Sequence, residues 1–376
     1  PAAQEQPGGL RLPAEPPPGE LAERPAADPL VPGDQGAMRA EAGRRPAAPA
    51  RAPAPAPADP NMPILPPWPF LFEMTMASFD GAPLAARYYP SQEGATAPVL
   101  LLVHDLGPGR SGKDFDASIA ELEGQGLAGH LQELGYAVLV IDLRGHGQSP
   151  SRSRESAETM NRMVGDLQTA YRFLLDRHNR RELNLSKFGI VALGQGANLV
   201  ASWATMPGAA VSIEGRTNDL AALALISPRP ELAGKALEPS LSALAPRVPL
   251  LLQAGVGDTE AAGVVDSLRE TVERQRLSRV ALTETRLPAT NLLRFAPDAT
   301  KPLLTFLDSA VKIRADEWEP RYNLDPVLFA NVRVVRLGEE EPAAAPPAPA
   351  PAPADGAAER APVPTAPTDR GNRPER

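Results

Sequence analysis

The turn at Gly194 has the sequence pattern of a turn that presents a nucleophile, but the residue at its apex has no side chain that could act as one. Residues 189–204, GIVALGQGANLVASWA, indicate an apolar strand, a small-residue turn and a helix. In a G-x-S-x-G nucleophile elbow, the serine at such a turn attacks an acyl carbon. Here Gly194 stands at the serine position, with Ala192 and Gly196 at the two glycine positions. Glycine has no side chain, so the sequence predicts an elbow without a nucleophile.

Two loops carry side chains that could act as bases or metal ligands. His104 and Asp105 follow the apolar run 99–103, and His146 lies in DLRGHGQS at 142–149. Both loops follow strands of a predicted parallel sheet, at the edge where such folds bind ligands. Two histidines beside an aspartate suggest a metal site, but no two ligands have the i, i+4 spacing of a helical site. We therefore expect no metal ion and no cofactor.

The elements that must position these loops alternate between strands and helices. Besides the elbow strand, apolar runs predict strands at 70–77, 83–89, 99–103, 136–141, 220–226, 248–253 and 280–287. Besides the elbow helix, helical spacing predicts helices at 115–134, 157–177, 232–244, 262–274 and 300–311. This alternation favours the α/β class, with a mostly parallel central sheet covered by helices on both faces.

The composition limits the class of the protein and its partners. The sequence has 376 residues, 45 prolines, no cysteine and a net charge of −8 at pH 7. An acidic chain without a basic stripe argues against nucleic-acid binding. The missing cysteines exclude disulfides, thiolate zinc sites and a cysteine nucleophile. No apolar run reaches 18 residues, so we expect no transmembrane segment.

Proline and alanine concentrate at both ends of the chain. Residues 1–66 and 338–376 are predicted to be disordered, solvated tails, with a partner-docking or wall-spanning arm as the alternative. Between them we expect a domain at 67–313 and an apolar extension at 314–337 that packs on it. The lack of cysteine fits export to a periplasm or cell envelope. A targeting segment is expected to have preceded Pro1, and none is present to be read.

Three motifs in a fixed order resemble those of the α/β-hydrolase superfamily, in its esterase, lipase and serine-aminopeptidase-like branch. LLVHDLG at 101–107 resembles the strand with HG-x-G, and VIDLRGHGQS at 140–149 resembles D-x-R-G-x-G-x-S. VALGQGAN at 191–198 lies where the elbow should be. The resemblance covers residues 68–313, about two-thirds of the chain. It implies an α/β-hydrolase fold, and structural roles for the histidines of the first two motifs. The chain between Pro228 and Pro249 is short, so we expect only a minimal lid.

The resemblance also implies where a catalytic acid and a catalytic base would lie. An active member needs a nucleophile, a histidine base and an acid that orients this base. The acid position is Asp258, and the base position falls at Asn291 or Thr290. Neither of these two side chains takes up a proton near neutral pH, and all four histidines precede the elbow. Without a histidine to orient, Asp258 is expected to cap a loop or to begin the following helix.

Asp105 takes the place of the glycine that usually follows the histidine of the first motif. Two orientations are open for its side chain. If it faces the turn, its charge opposes the negative oxygen that forms in acyl transfer. If it turns away, it pairs with Arg110 or Lys113. The candidate binding residues are therefore His104, Asp105, Leu106, Gln195 and His146.

Three functions remain open from the sequence. The loss of both nucleophile and base favours a non-catalytic relative that binds a small molecule or a protein, or that acts as a scaffold. The second possibility is a hydrolase with a rearranged active site that uses His104 or His146. The third is an envelope-associated structural protein that acts through its Pro/Ala-rich tails.

Overall fold

In the computed structural model of the chain, residues 67–150, 157–210, 219–321 and 327–337 are described. The predictions of disordered tails at 1–66 and 338–376 concern residues outside these ranges. The predicted domain and its extension lie within the ranges, apart from the three internal gaps.

Strands and helices alternate through the described residues. The strands are β1 (Phe70–Ala77), β2 (Pro83–Tyr89), β3 (Val99–Val103), β4 (Ala137–Ile141), β5 (Phe188–Leu193), β6 (Leu220–Ile226), β7 (Glu231–Leu232), β8 (Lys235–Ala236), β9 (Leu250–Gly255), β10 (Arg279–Thr283) and β11 (Phe329–Arg336). The helices are α1 (Leu127–Glu133), α2 (Ala157–Asn179), α3 (Gln195–Ala204), α4 (Glu238–Leu244), α5 (Thr259–Glu273), α6 (Ala289–Phe295) and α7 (Thr300–Leu307). A π-helical turn, Asp308–Lys312, continues α7.

Nine strands form one sheet in the order β10-β9-β6-β5-β3-β4-β2-β1-β11. The strands from β10 to β4 in this order pair in parallel, and β2, β1 and β11 extend the sheet with antiparallel pairs. The predicted mostly parallel sheet is therefore confirmed. Because parallel strands end at one common edge, the loops that follow β3, β4, β5, β6 and β9 meet there.

The two faces of the sheet are covered by different helices. In β3 the alternating residues Val99, Leu101 and Val103 join one apolar cluster, while Leu100 and Leu102 join another. The first cluster includes buried residues of α2 to α5, and the second includes those of α1, α6 and α7. All five side chains of β3 are buried, as expected for a central parallel strand covered on both faces.

The predicted helix at 115–134 is wrong in its first half, since α1 begins only at Leu127. The backbone turns left-handed at Glu123 and Gly124, with φ of 55° and 84°, which interrupts a helix. The apolar residues that gave the helical spacing, such as Phe115 and Ile119, are buried in short 3-10 turns and loops instead.

The predicted helix at 232–244 is also too long. Its first part forms the hairpin of β7 and β8, and only α4 is helical. Positive φ at Ala233 and Gly234 closes the hairpin with a tight turn. This hairpin and α4 make up the excursion between β6 and β9.

The carboxyl-terminal extension contributes a strand to the sheet. β11 pairs with β1 and has a register shift between Glu73 and Thr75, beside Asn331 in a left-handed conformation. Upstream of β11, Trp318 stacks on His178 with ring centroids 5.3 Å apart and donates its indole N–H to the His178 carbonyl at 2.9 Å.

A buried ion-pair network fixes the loop after β4. Arg144 donates from Nε and Nη2 to the two oxygens of Asp166 at 2.8 and 2.5 Å. Its Nη1 reaches Asp80 at 2.8 Å, and the Ser78 hydroxyl donates to Asp166 at 2.7 Å. Asp166 lies on α2 and Asp80 in the turn between β1 and β2, so the network joins the loop to a helix and a hairpin.

We predict that Arg144→Met lowers the free energy of unfolding by about 3–5 kcal/mol, because it leaves the fully buried Asp166 carboxylate without its cation. Urea denaturation with an unchanged m-value measures this loss. Arg162→Met is the matched control, since Arg162 pairs with Glu158 on the exposed face of α2, where a pair contributes only about 0.3–0.5 kcal/mol. Equal losses in the two variants would contradict the assignment.

Candidate functional site

The turn between β5 and α3 has the backbone conformation that a nucleophile elbow requires. Gly194 has φ 54° and ψ −128°, a region that glycine enters at little cost and other residues enter under strain. Its N–H donates to the Ile226 carbonyl at 2.9 Å, which anchors the turn to the end of β6. The next glycine, Gly196, packs against the backbone of the loop after β3, because a Cβ there would lie under 3.0 Å from the His104 carbonyl oxygen.

The Asp105 side chain faces the turn, which is the first of its two possible orientations. Its Oδ1 accepts the N–H groups of Leu106 at 2.8 Å and of Gln195 at 2.9 Å. A Cβ placed on Gly194 would lie under 3.0 Å from the carboxylate carbon and from both oxygens of Asp105. The carboxylate therefore fills the space that a side chain at position 194 would need.

The alternative ion pair of Asp105 does not form. Arg110 pairs with Asp114 at 3.7 Å, one turn along the same loop. Within the described part of the chain, no lysine or arginine nitrogen lies within 4.0 Å of the Asp105 carboxylate. The negative charge beside the turn is stabilised by backbone N–H groups and by the amino end of α3.

Both ring nitrogens of His104 bind backbone groups. Because the Leu143 N–H can only donate, Nε2 accepts it at 3.0 Å, and Nδ1–H donates to the Asp105 carbonyl at 2.6 Å. Burial lowers the pKa of His104 below 6.5, which keeps the ring neutral. His104 thus joins the loop after β3 to the loop after β4.

His146 completes the contact between the same two loops. Its Nε2 lies 2.8 Å from the Leu106 carbonyl and its Nδ1 lies 3.2 Å from the Arg144 carbonyl. The rings of His104 and His146 are 5.2 Å apart. In the residues that the structure describes, no group of three or more histidine, aspartate or glutamate side chains could hold a metal ion.

Asp258 is the N-cap residue of α5, so it lies at the start of that helix as expected, although its side chain makes no capping hydrogen bond. Its Oδ1 instead accepts the Arg229 guanidinium at 2.7 Å. The Arg229 backbone is held by Asn198 of α3, which accepts its N–H at 3.0 Å and donates to its carbonyl at 2.8 Å. One oxygen of the Asp258 carboxylate is therefore bound to a guanidinium, whereas Oδ2 is buried without a hydrogen-bond partner among the described residues.

The two candidate base positions lie on α6 rather than in a loop. Thr290 is buried, and its hydroxyl donates weakly to Asp114 at 3.3 Å. Asn291 belongs to the first turn of α6, where its N–H donates to the Pro288 carbonyl at 3.0 Å. The helix is anchored at its start, where the Ala289 N–H donates to the Ser227 hydroxyl at 2.8 Å.

Three cavities lie away from the turn. The largest, about 330 Å³, lies between α1 and α7, and one of about 240 Å³ adjoins β1 and β2. A cavity of about 70 Å³ lies between α2, α3 and the hairpin of β7 and β8. The residues that line these three cavities do not include Gly194, Asp105 or Asp258.

Arg229 and Asn198 are site residues that the sequence reasoning missed. Arg229 follows β6 and Asp258 follows β9, and these strands are neighbours in the sheet. The sequence signal for this ion pair was the presence of a charged residue after each of two strands that are neighbours in the sheet. It becomes specific only when the strand order is known.

Comparison with known proteins identified one family and several structures. The family model described as serine aminopeptidase, S33, matches residues 123–296, slightly less than half of the chain. No curated protein matches the sequence. Within the described residues, no helix is long and apolar enough to cross a membrane.

Several solved structures are similar to the chain at low sequence identity. An esterase of Pyrococcus furiosus is 15% identical, with 64% of this chain and 90% of that chain covered and a TM-score of 0.47. A Xanthomonas campestris α/β serine hydrolase without lid is 18% identical, with 66% and 97% covered and a TM-score of 0.42. A dienelactone hydrolase of Anabaena variabilis is 18% identical, with 63% and 95% covered and a TM-score of 0.40.

We predict that Gly194→Ala lowers the free energy of unfolding by about 2–4 kcal/mol, because it adds backbone strain and overlaps with Asp105. In an Asp105→Ala background the same change should cost only the strain, about 1–3 kcal/mol. A double-mutant cycle by urea denaturation measures the difference. Gly263→Ala on α5, where nothing lies within 4 Å of the added Cβ, is the control and should stabilise by about 0.5–1 kcal/mol. Additive effects of the two substitutions would refute the contact.

We also predict a loss of stability in acid that depends on His178. Burial lowers the pKa of His178 below 6.5, so the unfolded chain takes up the proton first and stability falls as the pH drops through 6.5. His178→Gln should reduce the slope by up to about 1.4 kcal/mol per pH unit, measured by urea denaturation between pH 7 and 5. Burial raises the pKa of Glu182 and Asp219, which acts in the opposite direction in both proteins. Equal slopes would show that folding does not lower the pKa of His178.

Proposed function

We propose that the chain is a catalytically silent member of the α/β-hydrolase superfamily that binds a small molecule or a protein, or acts as a scaffold. The observation that carries the proposal is the turn at Gly194. The residue at the apex of the elbow has no side chain, and the Asp105 carboxylate fills the space beside it. A nucleophile is therefore missing from the one place where this fold presents it.

The partners of a nucleophile support the same proposal. The base position holds Asn291 or Thr290, neither of which exchanges a proton near neutral pH. The acid, Asp258, is paired with Arg229, whose guanidinium stays charged and cannot act as a base. The nucleophile and the base are thus absent, and the acid is bound to a group that cannot transfer a proton.

A rearranged site that uses His104 or His146 has less support. Both rings lie within hydrogen-bond distance of backbone groups through each of their nitrogens. His104 is also fully buried. A general base must reach the proton that it abstracts, and these nitrogens face the protein's own backbone.

We predict that the purified protein does not react with a fluorophosphonate probe and hydrolyses p-nitrophenyl acetate no faster than its Asp258→Ala variant. The physical reason is that no hydroxyl activated by an imidazole lies at the turn. Gel fluorescence after labelling and a rate assay at pH 7.5 to 8 check this, with an active serine esterase as the positive control.

Labelling at a defined site, or an enzyme-like rate, would refute the proposal. In that case His104→Ala and His146→Ala would show whether a rearranged site is responsible, since only such a site loses its activity with one of these histidines. A ligand screen by thermal shift tests the binding role directly, because a ligand that binds only the folded state raises Tm as its concentration exceeds its Kd.

A further inference from the structure

Two backbone N–H groups from different segments converge on one oxygen beside the turn. The Leu106 N–H comes from the loop after β3, and the Gln195 N–H is the first of α3. Both donate to Oδ1 of Asp105, at 2.8 and 2.9 Å. Two convergent donors at a helix start are the arrangement with which α/β-hydrolases stabilise an oxyanion.

We infer that these two N–H groups form an anion site whose resident occupant is the Asp105 carboxylate, so that the protein closes its own oxyanion site from within. The inference builds on the proposed function, because a site whose donors are already bound has none left for a substrate oxygen. Asp105 is thus a built-in ligand of the carboxylate class.

The charge at the site agrees with this role. Asp105 is partly buried, and within the described ranges no lysine or arginine nitrogen lies within 4.0 Å of its carboxylate. Its charge is therefore stabilised by the two N–H groups and by the positive end of α3. A carboxylate held in this way is replaceable by another carboxylate of similar size.

The position of the Asp105 carboxylate next to Gly194 also supports its role as the occupant of this site. The carboxylate carbon and both oxygens lie where a side chain at position 194 would begin. The backbone of the same loop is locked by His104, which binds the Leu143 N–H and the Asp105 carbonyl. Removing only the Asp105 side chain should therefore leave a preformed site for a small carboxylate.

Chemical rescue of Asp105→Ala tests the inference. The variant should lose about 4–10 °C in Tm, because two N–H groups lose a charged acceptor. Sodium acetate should restore part of this loss, because acetate supplies the missing carboxylate, and Tm should rise with the logarithm of the acetate concentration above a Kd on the order of 10 mM. Sodium chloride at equal ionic strength should restore none of it.

Three proteins serve as controls. The wild type should show no specific response to acetate, because Asp105 occupies the site. Asp105→Asn keeps an acceptor oxygen and the volume of the side chain, so it should also be insensitive to acetate. Asp114→Ala removes a carboxylate from the same loop away from the turn and should respond like the wild type.

An equal response to acetate in Asp105→Ala and the wild type, or no response in either, would overturn the inference. If Asp105→Ala does not fold without acetate, folding on addition of acetate but not of chloride supports the inference, and failure with both refutes it. The proposed function is tested separately. Labelling by a fluorophosphonate would contradict the proposed function without changing the result of the acetate experiment.

Discussion

The hydrogen bonds of the Asp105 carboxylate to two backbone N–H groups hold two loops together at the edge of the sheet where the parallel strands end. They join the loop after β3 to the first residue of α3, two segments far apart in the sequence. The same close approach explains two glycines of the turn. At Gly196 the His104 carbonyl fills the space of a Cβ, and at Gly194 the Asp105 carboxylate fills it. One neighbouring loop thus determines the residue types of the elbow.

The second constraint is that the negative charge of Asp258 is paired with a positive charge. An active superfamily member balances its acid with a histidine that gains and loses a proton during the reaction. Here Arg229 balances Asp258 permanently, and Asn198 holds the Arg229 backbone from α3. The pair is a fixed contact between two loops that follow neighbouring strands.

The sequence predicted most strands of the sheet, because these strands are short apolar runs, although the predicted strands at 248–253 and 280–287 differ in their bounds from β9 and β10. β1, β2, β3 and β6 have the bounds that the sequence predicts, and the spacing of the elbow places β5 and α3 correctly. The errors arose where tertiary contacts override local preference. The helix at 115–134 is interrupted by a left-handed turn at Glu123 and Gly124, although its apolar spacing is helical.

The side-chain partners of the site were harder to predict than its backbone. Asp105 had two reasonable partners in sequence, and the choice between them depends on a distance across the sheet edge. The pair of Arg229 and Asp258 joins loops after adjacent strands, so the strand order must be known first. The sequence analysis predicted no helix around Asn291, where α6 forms with its start held by the hydrogen bond from the Ala289 N–H to the Ser227 hydroxyl.

The proposed loss of catalytic residues is compatible with an intact fold because of where this fold places such residues. They belong to loops at the sheet edge, whereas the two apolar clusters on the faces of the sheet supply the stability. A hydroxyl residue at the apex of the elbow costs about 1–3 kcal/mol in backbone strain, which only the need for a nucleophile would maintain. Glycine removes this strain, and a carboxylate on the donors removes the cost of unpaired buried N–H groups. Both features stabilise the turn, which agrees with the proposal that the site is closed by Asp105.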